Sequence, residues 1–143
     1  MKRFKTKEQV FRYIVQKFLK NSKLTLVRGS TARSPIKNYS DLDIEIYGKR
    51  AKPYYEMGFV NKKLVLLSVY FYDFVEGKVI KAPKNVKVLY GRYNDSIKPD
   101  FSGDKYTSKE KIIREAQLAV DFLFKYLRRK DKLYLKFVDK RLR

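Results

Sequence analysis

The chain has 143 residues, enough for one domain of ordinary size, and its 35 lysines and arginines outnumber its 15 aspartates and glutamates, giving a formal net charge of +20. This excess attracts polyanions, so nucleic acid or nucleotide phosphate is the first class of partner to consider. The absence of cysteine and histidine excludes disulfides, thiolate and imidazole metal sites, and catalysis by either side chain.

The N-terminal part begins with a helical pattern. Apolar residues recur at three- and four-residue steps from Val10 to Leu19, and charged residues fill the other face, which predicts an amphipathic helix over about residues 7 to 20. A short β-prone run at residues 24 to 27 follows and ends at Arg28-Gly29-Ser30. The sequence therefore predicts a strand that meets a glycine turn.

Residues 41 to 47 alternate strictly between acidic or polar and aliphatic side chains. Successive residues of a strand point to opposite faces, so this pattern predicts a half-buried strand. Its polar face displays Asp41, Asp43 and Glu45.

Four further segments have β patterns. Residues 54 to 60 and 64 to 72 flank a short turn and predict a hairpin, and weaker strand patterns lie near residues 78 to 81 and 86 to 90. The middle of the chain is therefore predicted to form a sheet.

The C-terminal third begins with a predicted loop at residues 94 to 107, rich in Asp, Pro, Gly and Ser. A helical period of apolar residues then predicts a helix over about residues 108 to 129. The basic tail of residues 130 to 143 contains a segment, 133 to 138, that is compatible with a strand or with another helical turn.

The order of these elements predicts an α+β fold: a mixed, mostly antiparallel sheet of four to five strands with helices packed on one face. We expect a single domain over residues 1 to 143, with its core at about residues 7 to 90.

One group of residues has the pattern of a metal and phosphate site. Gly29-Ser30 is followed by ten residues and then by Asp41 and Asp43. Two carboxylates two residues apart on a strand lie about 6 to 7 Å apart on one face, which suits hard divalent cations. A glycine-serine turn at a strand end lets backbone N–H groups and a hydroxyl approach phosphate oxygens.

This spacing resembles the signature of the DNA polymerase β-type nucleotidyltransferases, over about residues 10 to 75. The ten-residue spacer is most similar to the minimal nucleotidyltransferases that act as partners or antitoxins of HEPN-domain proteins. The aromatic hairpin has some resemblance to the catalytic domain of archaeal CCA-adding enzymes. The resemblance implies that Gly29 and Ser30 bind the triphosphate of an NTP, ATP first, and that the catalytic Asp41 and Asp43 coordinate two Mg²⁺ ions.

The family also has a third carboxylate, on a neighbouring strand, and this chain departs from that pattern. By resemblance to the CCA-adding branch, Ser68 falls at its place. Asp73 lies five residues further on, and odd spacing puts it on the opposite face of the sheet unless a bulge intervenes. Glu45 shares the face of Asp41 and Asp43 and is the remaining candidate.

Three functions stay open. The first is a Mg²⁺-dependent nucleotidyltransferase that moves a nucleoside monophosphate from an NTP to a hydroxyl of a protein, such as a HEPN-domain partner, or of RNA. The second is a catalytically degenerate domain of the same fold that binds nucleic acid or a partner protein. The third is a basic RNA-binding module in which the Asp-x-Asp pattern is incidental.

Charge and aromatic residues each have two interpretations. Residues 1 to 23 hold eight Lys or Arg and residues 125 to 143 hold nine, so the basic termini suit RNA or DNA as much as an ordinary solvated surface. Several tyrosines suit either base stacking or packing within the sheet. They are Tyr54, Tyr55, Tyr70, Tyr72, Tyr90 and Tyr93.

No segment has the length or apolar content of a signal peptide or membrane span; the longest nearly apolar run is Leu64 to Tyr72. The sequence predicts a cytoplasmic protein with no membrane partner.

Overall fold

The computed structural model describes residues 2 to 97 and, further along the chain, residues 115, 116, 119, 122, 123 and 132 to 142. The chain divides into two compact units, Met1–Pro99 and Asp100–Arg143. The elements are, in chain order, β1 (Lys2–Phe4), α1 (Lys7–Lys17), a 3-10 turn (Leu19–Asn21), β2 (Ser22–Arg28), α2 (Gly29–Arg33), β3 (Ser40–Gly48), β4 (Ala51–Val60), β5 (Lys63–Asp73), β6 (Val86–Gly91) and α3 (Leu133–Leu142).

All six strands belong to the first unit and form one sheet in the order β1-β4-β5-β3-β2-β6. The β3–β5 and β1–β4 pairs are parallel, and the β2–β3, β2–β6 and β4–β5 pairs are antiparallel. The predicted α+β class and the mixed, mostly antiparallel sheet are confirmed. The predicted count of four to five strands is wrong, since the described residues form six.

Two local differences separate the predicted strands from the observed ones. The three-residue β1, which pairs with β4, is too short to show a period-two pattern in the sequence. The predicted strand near residues 78 to 81 does not form; its only ladder contact in the described part of the chain is an isolated bridge between Val79 and Asn94.

Helix α1 begins where Thr6 accepts a hydrogen bond from the backbone N–H of Gln9 at 3.2 Å, which satisfies one of the donors exposed at a helix start. The helix ends at Lys17, and the last residues of the predicted span form the 3-10 turn instead. Its buried residues are Val10, Phe11 and Ile14. They pack on one face of the sheet, which we call the α1 face, against aliphatic side chains of β2, β3 and β5.

The opposite face of the sheet carries the odd-numbered residues of β3 and is called the acid face below. Part of it is covered by a second apolar cluster that includes Leu24, Leu26 and Tyr47 and, from β6 and the segment after it, Val86 and Tyr93. The acid face is therefore apolar towards the end of β3, and polar around Asp41 and Asp43 near its start.

In the second unit, residues 133 to 142 form helix α3, which decides between the strand and the helical turn predicted for residues 133 to 138. Of the helix predicted over residues 108 to 129, the structure describes residues 115, 116, 119, 122 and 123, all of them helical. The rest of that helix, and most of the predicted loop at residues 94 to 107, lie outside the described residues. No helix of the described parts is long and apolar enough to cross a membrane.

Candidate functional site

The glycine turn lies beside the Asp-x-Asp strand. Strands β2 and β3 are antiparallel, with Val27 opposite Ile44, so the chain leaves β2 next to Asp43 and enters the short helix α2. Gly29 has a φ of 50°, in the left-handed region that favours glycine. A Cβ at Gly29 would meet nothing within 4 Å, so the backbone conformation, and not a lack of space, calls for glycine.

A hydrogen bond joins the turn to the strand. The buried Thr31 side chain accepts a hydrogen bond from the backbone N–H of Asp43 at 3.0 Å. Because Thr31 belongs to α2 and Asp43 to β3, this contact fixes the helix that follows Gly29-Ser30 against the strand that carries the carboxylates. The segment that follows the Gly29-Ser30 turn therefore contacts the strand that carries Asp41 and Asp43.

Some backbone groups of the Gly29-Ser30 turn form hydrogen bonds within the protein. The N–H of Gly29 donates to the carbonyl of Asn85 at 3.0 Å, and the carbonyl of Ser30 accepts from the N–H of Ser34 at 2.8 Å. A phosphate at the turn would therefore meet Ser30, which is exposed, and not the amide of Gly29. The resemblance implies that Gly29 and Ser30 bind a triphosphate. Of the two, only Ser30 would be a hydrogen-bond donor to it, and Gly29 would shape the turn.

Asp41 and Asp43 share the acid face. Their aliphatic neighbours Leu42 and Ile44 are buried in the cluster under α1. On the acid face, Asp41 is half-buried and Asp43 is exposed. The alternation thus presents both carboxylates on the side where the glycine turn leaves β2.

Glu45 continues the acid face but is held by other groups. Its carboxylate lies 3.0 Å from Nε of Arg28, with both side chains nearly buried, and it accepts a hydrogen bond from the Tyr47 hydroxyl at 2.8 Å. Burial raises the pKa of Glu45 to about 7, against the opposing effects of Arg28 and Tyr47, which lower it. Glu45 thus serves in a buried ion pair just behind the site, and its use as a metal ligand would require that pair to break.

Ser68 lies directly opposite Asp43. The parallel β3–β5 register pairs Asp43 with Ser68, and Ser68 is almost fully buried. Asp73 pairs with Gly48 at the far end of β5, about 16 Å along the strand from Ser68. It is exposed, and its side chain accepts a hydrogen bond from the N–H of Arg50 at 3.0 Å. A serine therefore occupies the position beside Asp43, and Asp73 is remote from it.

The carboxylates present suit a metal ion that arrives with phosphate. Within the described residues, no group of three or more acidic side chains is placed to hold a metal ion. Magnesium in nucleotide sites is commonly held by one or two carboxylates, with phosphate oxygens and water completing its octahedron. Asp41 and Asp43 fit that requirement for Mg²⁺ bound together with a nucleotide, and they do not form a cage for the free ion.

Sequence reasoning missed Arg28 as the partner of Glu45. The two residues are 17 positions apart, and their pairing depends on the β2–β3 register, in which Leu26 lies opposite Glu45. A signal was present in the sequence: an acid within a run of aliphatic residues and a base at the end of another apolar run are both hard to bury unless they pair.

Comparison with known proteins does not identify the chain: no model of a protein family matches it, and no curated protein matches it.

Proposed function

We propose that this protein is a Mg²⁺-dependent nucleotidyltransferase that transfers a nucleoside monophosphate from an NTP to a hydroxyl group of a protein or an RNA. The observation that carries the proposal is the hydrogen bond from the Asp43 N–H to Thr31. It holds α2, the helix that carries Ser30, against the strand that bears the two exposed or half-exposed carboxylates. A phosphate donor and a divalent ion require these two kinds of group side by side.

Each residue of the site has a role in this proposal. Asp41 and Asp43 would hold Mg²⁺, with the remaining positions filled by triphosphate oxygens and water. The bound metal supplies charge stabilisation for the attacking and leaving oxygens. Ser30 donates to a phosphate, and Thr31 keeps α2 in register with β3 so that the phosphate and the carboxylates stay aligned.

Ser68 should lower the rate of nucleotidyl transfer. In the resembling family a third carboxylate at this place is the candidate base for the acceptor hydroxyl, and a serine has too high a pKa to act as one. The acceptor oxygen would bond to the α-phosphorus, the bond between the α- and β-phosphates would break with release of pyrophosphate, and the proton of the acceptor would go to Asp41, to Asp43 or to solvent. We therefore expect slow transfer, with a deficit of about a hundredfold or more against an enzyme that has all three acids.

The same residue favours a second candidate, a catalytically degenerate domain that binds nucleotide, nucleic acid or a partner without turnover. The observation behind it is the register that pairs Ser68 with Asp43. The resemblance implies a carboxylate at this position, and this chain has a serine there. A positively charged chain of this composition would suit an acidic partner such as RNA or a nucleotide. A HEPN-domain protein is the partner suggested by the resemblance to minimal nucleotidyltransferases.

The test is transfer of label from α-³²P-labelled NTPs to the protein itself, to a HEPN-domain protein and to a short RNA, with Mg²⁺ and with EDTA. Transfer should require Mg²⁺ and should fall at least a hundredfold in Asp43→Asn. The matched control is Asp73→Asn, an exposed acid on the neighbouring strand but far from the turn, which should retain the wild-type rate. Mg²⁺-dependent nucleotide binding without transfer would select the degenerate alternative. Measurable transfer at an equal rate in Asp43→Asn and wild type would overturn the proposed site, and Mg²⁺-dependent nucleotide binding that Asp43→Asn leaves unchanged would overturn the degenerate alternative at this site.

A further inference from the structure

The acid face continues beyond Ser68 onto β4, where it carries tyrosines. Ser68 pairs with Asp43 on one side and with Tyr55 on the other, so Asp43, Ser68 and Tyr55 form a row across three adjacent strands. Residues paired across a sheet point to the same face. At about 4.8 Å per strand, the Cα atoms of Asp43 and Tyr55 lie about 10 Å apart.

Tyr70 completes this feature from the same face. It lies two residues after Ser68 on β5, and its ring packs edge to face on Tyr55, with ring centroids 6.4 Å apart and planes at 87°. Both residues are half-buried. The pair is set apart from Tyr54, the next residue along β4, whose ring packs on Phe18 and belongs to the α1 face.

We infer that the Tyr55–Tyr70 pair is the subsite for the nucleobase of the bound NTP; this inference rests on the proposed function. The metal-binding carboxylates fix the triphosphate at one end of the row, and the base must then lie one nucleoside length away on the same face. Aromatic side chains bind bases by stacking, which requires a flat ring with an accessible surface. The Cα atom of Tyr55 lies about 10 Å from that of Asp43 along this row. The rings of Tyr55 and Tyr70 are nearly perpendicular to each other, so they form a corner rather than a flat wall.

This arrangement also predicts which nucleotides bind most tightly. Every base has a π face, so stacking alone tolerates all four bases. Purines offer the larger stacking area, so ATP and GTP should bind more tightly than UTP and CTP. Discrimination between ATP and GTP would need hydrogen bonds that the ring pair does not supply.

The first experiment uses the wild-type protein and compares Mg²⁺-ATP, Mg²⁺-UTP and Mg²⁺-tripolyphosphate by isothermal titration calorimetry. Tripolyphosphate has the phosphates of ATP without a base. ATP should bind at least tenfold more tightly than tripolyphosphate, since base stacking on an aromatic residue changes affinity by about that factor or more. Saturation-transfer NMR on the same samples should show the strongest transfer to the base protons of ATP.

The second experiment adds variants. Tyr55→Ala and Tyr70→Ala should each weaken ATP about tenfold or more and leave tripolyphosphate unchanged, whereas Tyr55→Phe and Tyr70→Phe keep the ring and should stay within about threefold of wild type. Tyr90→Ala is the matched control, because Tyr90 is an exposed tyrosine on the edge strand β6. If the alanine variants do not fold, the wild-type comparison of ATP with tripolyphosphate still tests whether the protein has a base subsite.

The outcomes separate this inference from the proposed function. If ATP and tripolyphosphate bind equally and Asp43→Asn weakens both, the phosphate site stands and the base subsite is overturned. If a short RNA loses affinity in Tyr55→Ala while ATP does not, the pair serves the acceptor and its assignment to the NTP is overturned. If neither ATP nor tripolyphosphate binds with Mg²⁺, the proposed function and the base subsite are overturned together.

Discussion

Two neighbouring residues of β3 show how different the two faces of this sheet are. On the α1 face, Ile44 lies between Val27 of β2 and Val69 of β5, and all three side chains are fully buried. On the acid face, Asp43 is exposed and lies beside the glycine turn and Ser68. The period-two alternation of a single strand thus separates the residues that hold the fold from the acidic residues of the proposed site.

The separation is not complete, because the acid face has one structural anchor of its own. The buried pair of Arg28 and Glu45, with Tyr47, lies between the exposed carboxylates and the second apolar cluster. Arg28 is also the residue immediately before Gly29, so the pair fixes the end of β2 where the turn begins.

The largest effect on stability is expected at this anchor. Arg28→Met removes the cation but keeps most of the aliphatic length, and it leaves Glu45 buried without its counter-ion. Removal of one partner of a buried ion pair costs about 3 to 5 kcal/mol, so the free energy of unfolding at pH 8 should fall by that amount in urea denaturation.

Two controls accompany Arg28→Met. Lys84→Met removes an exposed cation and should change stability by less than about 0.5 kcal/mol. The double variant Arg28→Met/Glu45→Met should recover most of the loss, because an apolar pair can replace a buried ion pair. A loss below 1 kcal/mol in the single variant would show that Glu45 is not held mainly by Arg28.

The second prediction compares the two faces directly. Ile44→Ala leaves a cavity in the cluster under α1 and should cost about 2 to 5 kcal/mol, whereas Asp43→Ala on the exposed side should cost less than about 0.5 kcal/mol. Urea denaturation of both variants measures the difference. Similar losses in the two variants would mean that the acid face is as much a part of the core as the α1 face.

The third prediction concerns pH and Glu45, whose pKa burial raises from near 4.5 to about 7. Between these values the folded protein binds more protons at Glu45 than the unfolded chain does, so the stability contributed by this group falls as pH rises through the window. Glu45→Gln does not titrate. The wild-type minus Gln difference in unfolding free energy should therefore decrease from pH 4.5 to pH 7, by at most about 3 kcal/mol, and level off above.

Urea denaturation at pH 4.5, 6, 7 and 8 measures this difference. Glu76→Gln is the matched control, since Glu76 is exposed and its replacement should change stability by less than about 0.5 kcal/mol. A difference that increases with pH would show that the attraction of Arg28 outweighs the burial of Glu45, and that the pKa is lowered.

Sequence alone predicted the acid face well where one strand carries its own pattern. The alternation of residues 41 to 47 predicted both faces of β3, and the odd spacing between Ser68 and Asp73 predicted that Asp73 would lie apart from Asp43. These predictions succeed because side-chain direction in a strand depends only on local geometry.

Other positions could not be predicted from the sequence, because they depend on contacts with residues distant in the chain. Thr31, Arg28 and Tyr55 acquire their places through the register between strands, which no local pattern specifies. The short β1 was missed for the same reason, since three residues become a strand only by pairing with β4. The segment at residues 78 to 81 has β propensity but finds only one bridge partner in the described part of the chain. Propensity is overridden when no neighbouring strand is available.

The smallest effect, and the most direct test of the site, is expected on adding Mg²⁺ to Ser68→Asp. This change places a third carboxylate beside Asp43, in an almost fully buried position. Without metal the new carboxylate should destabilise the fold, because like charges are brought together and one of them is desolvated. With Mg²⁺ the three acids become a site for the free ion, and at about ten times its dissociation constant the ion should restore about 1.4 kcal/mol.

Thermal unfolding of Ser68→Asp, Ser68→Asn and wild type, each with Mg²⁺ and with EDTA, measures this effect. Ser68→Asn has nearly the same shape as Ser68→Asp but no charge, so it controls for the volume of the new side chain. A rise in Tm with Mg²⁺ only in Ser68→Asp would place Asp41, Asp43 and position 68 around one ion, and nucleotidyl transfer by that variant should rise as well. Equal Mg²⁺ responses in the aspartate and asparagine variants would mean that Asp43 and Ser68, although opposite in register, do not turn their side chains towards a common point. The acid face would then lack the geometry of a metal site, and the exposed carboxylates of β3 would belong to an ordinary solvated surface.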